Sequence, residues 1–215
     1  MIELLNMDCM EYMATLPDKA FDLAIVDPPY GIGEDGGKKI VWKTRPNSKN
    51  IPIKHIAKGW DNKPSKNYFT ELFRVSREQI IWGGNYFTDL LPVSGRWIVW
   101  DKMIEVAFFT TCELAWCSPR NNQIKRFRIH PFHNLHGGKY KHHPTQKPVA
   151  LYQWLLKNYA KPGDRILDTH LGSGSSAIAA DIMGFDFVGI EIDEDYYKAA
   201  VDRFNRHKQQ LTLEL

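Results

Sequence analysis

Short apolar runs alternate with amphipathic stretches along this chain, and the alternation predicts strands interleaved with helices. "IELLNMD" (2–8) reads as a strand, "CMEYMATL" as a short helix stopped by Pro17, and "FDLAIVD" (21–27) as a buried strand closed by Pro28 and Pro29. After a long stretch without period come a helix around "YFTELFRVS", a strand at "QIIWGG" and a helical turn near "NYFTDLL". Strands follow at "RWIVWDK" (96–102) and "CELAWCS" (112–118). From 149 onward the pattern is clean: helix 149–160, strand "RILD", glycine-rich turn "THLGSG", helix "SSAIAADIMG", strand "FDFVGIEI" and a closing helix "EDYYKAAVDRFNRHK". This order predicts an α/β fold, a mostly parallel sheet with helices on both faces.

A chain of 215 residues can bury one sizeable core, so a single domain over 1–215 is expected. Its 43% apolar and 25% charged residues are ordinary for a globular protein. No run reaches the length of a membrane span and the first residues lack a secretory pattern, so no membrane association and a cytoplasmic location are expected. Three cysteines without a close pair at ligand spacing argue against a disulfide framework and a cysteine zinc site.

Charge changes the picture where the periodicity fails. Residues 31–66 carry nine Lys/Arg against three acids, and 118–147 carry seven and no acid, which leaves −10 for the rest of the chain. Either these are solvated loops or they form a surface for a polyanion. Trp42, Trp60, Phe127, Phe132 and Tyr140 among the basic residues favour nucleic acid, whose bases offer faces for stacking.

Two predicted strands end in special chemistry, and in such sheets ligands bind beyond the C-terminal strand ends where the strand order reverses. In "DTHLGSGSSA" (168–177), Gly172 and Gly174, with Ser173 between them, allow close backbone approach to a ligand. Glu191, nineteen residues past Gly172, can take both ribose hydroxyls. The pattern admits a nicotinamide enzyme, but Asp168 before the glycines would repel a pyrophosphate and suits an ammonium group.

"DPPY" and "LDTHLGSGS…GIEID", in that order with "HPTQKP" between, resemble the amino-methylating DNA methyltransferases of the permuted β class. The resemblance covers nearly the whole chain. It implies a Rossmann-like, S-adenosylmethionine-dependent fold with circularly permuted motif order, and methylation of the exocyclic N6 of adenine in DNA after base flipping. Cytosine N4 methylation uses the same machinery, with serine more often first in the motif. The resemblance implies that Asp27 and the Pro28 carbonyl orient the target amine, with Pro29 stiffening the turn and Tyr30 stacking the base. Physically, the amine is a poor nucleophile with a delocalised lone pair, and two fixed acceptors can turn that pair toward a methyl donor. The base must leave the duplex to be reached.

The same resemblance places His143, Thr145 and Lys147 beside the methionine end of the cofactor, where Thr145 can cap a helix and Lys147 receive a carboxylate. Asp8 matches a position near the cofactor adenine, although a strand-end turn explains it equally. Thr169 and His170 stand where the family usually has Pro-Phe, putting a titratable ring against the cofactor. The segment 119–142, a reduced target-recognition region, offers Arg120, Lys125, Arg126 and Arg128 to DNA phosphates, and 31–66 offers Lys38, Lys39, Lys43 and Arg45. So short a reader predicts a short site or loose specificity. Five histidines in 130–143 lack supporting ligands, so no metal is expected. A homodimer is compatible with the resemblance. A non-catalytic nucleic-acid-binding subunit is a rival reading that the retained Asp27 disfavours.

Overall fold

The computed structural model describes residues 1–33, 61–105, 110–131 and 146–213. Eight strands form one sheet: β1 (Ile2–Asn6), β2 (Phe21–Val26), β3 (Ser76–Trp82), β4 (Trp97–Asp101), β5 (Cys112–Cys117), β6 (Ile124–Arg128), β7 (Arg165–Asp168) and β8 (Asp186–Glu191). Five helices accompany them: α1 (Cys9–Ala14), α2 (Lys66–Val75), α3 (Val149–Tyr159), α4 (Ser175–Met183) and α5 (Glu194–Leu213). Strand order is β1-β8-β7-β2-β3-β5-β4-β6, and only β5 runs against the others.

The continuous apolar runs of the central strands are explained by burial on both faces. In β2, Leu23 and Ile25 point to one side and pack in a cluster with Leu151 and Leu155 of α3 and Ala177 of α4. Ala24 and Val26 point to the other, where they meet Met13 of α1 and Phe69 and Leu72 of α2. The same alternation continues in β3, with Ile80 and Trp82 on the first side and Ile81 on the second.

The basic stretch expected as a loop over 119–142 contains β6, which pairs with β4 at the sheet edge. Its period-two pattern, IKRFR, is disguised by charge: Phe127 stacks on Trp154 of α3 at 5.0 Å, while Arg126 and Arg128 are exposed. Elsewhere the predicted elements stand with shifts of a few residues at their ends. The turn near "NYFTDLL" is a single 3₁₀ turn, Gly84–Tyr86.

Candidate active site

β7 and β2 lie side by side, yet the chain leaves them in opposite directions. After β7 it enters α4, which packs on one face; from β2 it eventually reaches α2, which packs on the other. This divergence opens a crevice at the strand ends, and a cavity of about 450 Å³ occupies it. Asp27, Pro28, Pro29 and Tyr30 from the end of β2 share its wall with Gly172, Ser173 and Glu191 from the β7 and β8 side.

The glycine turn is built around Glu191. One carboxylate oxygen accepts the Gly172 N–H at 2.9 Å and the other the Asp193 N–H at 3.0 Å. Gly172 takes φ +52° and Gly174 φ +74°, the left-handed conformations that let the chain turn from strand to helix within a few residues. Burial pushes Glu191 above its ordinary pKa, although these N–H groups oppose the shift. At the far side Asp8 caps α1, accepting the Met10 N–H at 2.6 Å, and still lines the cavity.

Asp168 stands differently from expectation. It is 1% exposed and absent from the cavity wall, with the Ser176 hydroxyl donating to Oδ2 at 2.6 Å and the His170 N–H to Oδ1 at 3.0 Å. Ser176, in the first turn of α4, thus ties the carboxylate to the turn itself. Desolvation raises its pKa to about 7, above the opposing pull of those two donors. Gly174 likewise stands behind the wall, packed against Ala200. His170 does face the cavity, its Nδ1 bonded to Thr169 Oγ1 at 2.9 Å, and burial lowers its pKa to about 4. Thr169 Oγ1 also meets the Tyr68 hydroxyl at 2.7 Å, fixing the histidine ring edge-on to Tyr68.

Asp27 is gripped from two sides. The Tyr30 hydroxyl donates to Oδ1 at 2.6 Å, and the Lys147 ammonium pairs with Oδ2. Lys147, expected to meet a ligand carboxylate, is 3% exposed and shares its charge between Asp27 and Glu113, the latter at 3.3 Å. The ring of Tyr30 stacks on Tyr86 at 5.0 Å and lies against Gly83, whose φ is +67°. Asp61 anchors the turn after the motif by accepting the Gly31 and Ile32 N–H groups at 2.8 and 2.9 Å.

Of the basic residues assigned to phosphates, Arg120 lies at the opposite sheet edge, paired with Glu78 near the start of β3. Lys125 sits over Tyr159 and bonds Asn158 at 3.1 Å. Register puts Arg128 level with Asp101 at the cavity end of β4, and the two form an ion pair at 2.9 Å; Arg126 is exposed mid-strand. Lys125 and Arg128, carried by β6, and Arg120, just before it, thus each have partners within the protein. Lys38, Lys39, Lys43, Arg45, His143 and Thr145 lie outside the described residues. Among the described residues, no cluster of His, Cys, Asp and Glu could hold a metal and no helix is long and apolar enough to cross a membrane.

Tyr68 lines this cavity and Glu113, Lys102 and Gly83 support its wall from behind, yet none belongs to a sequence motif named above. Glu113 left one signal, an acid inside the otherwise apolar run "CELAWC".

The family profile described as DNA methylase, that of the N6/N4 methyltransferases, matches residues 82–202. YubD of Escherichia coli strain K12 is 27% identical over 201 residues, spanning 91% of this chain and 87% of YubD. The DNA adenine methyltransferase YhdJ of the same strain is 39% identical over 67 residues, 31% of this chain and 23% of YhdJ. Among solved structures, the M1.HpyAVI-SAM complex aligns with TM-score 0.62 at 21% identity, covering 95% of this chain and all of that one. The cytosine-N4-specific PvuII DNA methyltransferase aligns with TM-score 0.60 at 12% identity, covering 96% and 92%. At these identities the structural likenesses speak to fold, which is that of the S-adenosylmethionine-dependent DNA methyltransferases.

Proposed function

This chain belongs to the DNA methylase family of N6/N4 methyltransferases, and on that premise we propose that it methylates the N6 amine of adenine in DNA. The cofactor of the family is S-adenosylmethionine. The observation that carries the reading is the shared cavity: the Asp27 carboxylate and the glycine turn open into one space, so one substrate and one donor can meet there.

The residues present fit the cofactor. A cavity of about 450 Å³ falls within the range for small-molecule sites. Glu191 keeps lone pairs toward the cavity after accepting two N–H groups, enough to receive ribose hydroxyls. Gly172 lets the backbone approach closely, and Met7, Asp8 and Ile192 supply an apolar slot with one acceptor for a purine. Bound here, S-adenosylmethionine supplies a methyl group activated by the positive sulfur.

The protein's part is orientation and charge. Asp27 and the Pro28 carbonyl accept the two amine hydrogens of the extruded base, which redirects the nitrogen lone pair out of the ring system. Tyr30 holds Asp27 Oδ1 with its hydroxyl and offers ring surface to the base. The negative Asp27 also favours the positive charge that grows on the nitrogen. His170, Ser173 and Lys147 line the cavity, with Asp168 and Gly174 shaping the turn behind them; the family resemblance adds His143 and Thr145 to the cofactor-binding residues.

Adenine is favoured over cytosine by aspartate at the head of the motif, and the partial likeness to the adenine enzyme YhdJ points the same way. We read the order of the two sites along the chain as the permuted arrangement of the β class, in a single domain whose segments 31–66 and 119–142 meet DNA. Incubating the protein with S-adenosylmethionine and unmethylated DNA, digesting to nucleosides and identifying the product by mass tests this. N6-methyl-2′-deoxyadenosine is expected; N4-methyl-2′-deoxycytidine instead would move the assignment to the other amine, and no methylated nucleoside would defeat it.

A further inference from the structure

Asp27 stands at one end of a line of alternating charges that crosses the C-terminal edge of the sheet. From β2 the Asp27 carboxylate meets Lys147, whose ammonium lies 5.2 Å over the ring of buried Trp82 at the end of β3. Lys147 then meets Glu113 of β5 at 3.3 Å, and Glu113 takes the Lys102 ammonium, just beyond β4, at 2.6 Å. Neither Glu113 nor Lys102 lines the cavity. Among the described residues Glu113 Oε2 has no hydrogen-bond donor in good geometry and faces only the Lys147 charge.

We propose that Glu113 and Lys147 are positioning residues for methyl transfer: Lys147 holds and aims Asp27, and Glu113, steadied by Lys102, keeps Lys147 from binding Asp27 too tightly. This rests on the reading of Asp27 as the acceptor for the target amine. A lysine paired with Asp27 alone would draw electron density from the carboxylate and leave only a neutral pair beside a nitrogen that is becoming positive. Glu113 takes part of the Lys147 charge, so Asp27 keeps more of its own negative charge toward the reaction, while Lys102 balances Glu113 at the far end of the line. The geometry is costly unless it is used, because buried ions need complete pairing.

The other groups facing Asp27 are Tyr30, Tyr68 of α2, Tyr152 of α3 and Asp168 of β7. The three phenols are pushed above their ordinary range by burial and stay neutral at working pH. Burial alone would raise Glu113 and lower Lys147; their charged neighbours reverse both directions, so the Lys147–Glu113 pair stays ionised.

The test is the pH dependence of single-turnover methylation at saturating cofactor and DNA. Lys147→Met leaves Asp27 without its cation and Glu113 with Lys102 alone, so its rate should fall roughly 100-fold near neutrality and its acid limb should move up by about one pH unit. Adding Glu113→Gln to that variant removes the repulsion and should bring the limb back down. Glu113→Gln alone should lower kcat about tenfold, leave the cofactor KM within about twofold, and move the limb the other way, since Lys147 then serves Asp27 only. Melting of the cofactor-free proteins supplies an independent reading: Lys147→Met should lose more at pH 8 than at pH 5.5, and the double variant should recover part of that loss. Equal loss of rate with the wild-type profile in every variant, or a folded Glu113→Gln with unchanged kcat, would overturn the proposal. Should Lys147→Met fail to fold, Glu113→Gln decides by its kcat and KM. A wild-type protein that methylates no adenine defeats the assigned reaction instead, and the melting series still judges the charge line.

Discussion

Gly83 leaves room for Tyr30 and for nothing else. A Cβ placed on Gly83 would lie 2.2 Å from Tyr30 Cε1 and 2.6 Å from Cζ, well inside contact distance. The glycine at the end of β3 therefore sets the position of the ring whose hydroxyl holds Asp27.

Gly83→Ala combines that collision with a φ of +67°. Methylation should fall at least tenfold while cofactor affinity stays near wild type, because the glycine turn is untouched. Gly184→Ala is the control: its φ is +73° and nothing lies within 4 Å, so it should cost about 1 kcal/mol of stability and no activity. Paired rate and cofactor-titration measurements check this.

Asp27→Ala should abolish methyl transfer, by roughly 1000-fold or more, and leave cofactor binding within a few fold. It also strips Lys147 of one partner, leaving Glu113 as its counter-ion. Calorimetric titration beside the rate assay separates the two effects; joint loss of binding and transfer would remove Asp27 from the role given to it.

Asp168 and His170 carry opposite pH dependences in one turn. Asp168 titrates at about 7 in the fold against 3.8 outside it, so its contribution to stability is full below about pH 3.8 and is lost as pH rises through 7. His170 titrates at about 4 against 6.5, so its contribution is full above about pH 6.5 and is lost as pH falls through 4. The two slopes largely cancel in the native protein. In Asp168→Asn the melting temperature should rise with pH between 4 and 6.5, and in His170→Phe it should fall between 4 and 7, relative to the parent. Thermal melts across that range read both.

Arg120 and Arg128 should part company in DNA binding. Arg120→Ala removes a charge paired with Glu78 away from the cavity and should leave DNA affinity unchanged. Arg128→Ala acts at the cavity end of the sheet and should weaken binding several-fold with a smaller salt slope. Fluorescence anisotropy at two salt concentrations distinguishes them.

What the sequence revealed follows from how local each signal is. β2, β7 and β8 announce themselves because buried parallel strands are unbroken apolar runs, and the glycine turn because few residues tolerate positive φ. β6 was hidden since an edge strand's outer positions can be basic, and its inward Phe127 needed the partner Trp154 to make sense. The inward turn of Asp168 depends on Ser176, and the engagement of Lys147 on Glu113, 34 residues upstream in the chain. Such choices between partners are made by packing, which no single-residue pattern carries.

β1 pairs with β8 across the longest span of the chain, Ile2 against Phe187 and Asn6 against Glu191. On the ribosome β1 must wait for everything between it and β8 to be made, roughly 10–40 s at ordinary elongation rates. Glu191 and the glycine turn it braces are therefore completed long after the segment carrying Asp27 has left the ribosome, so the two walls of the cavity are made at widely separated times.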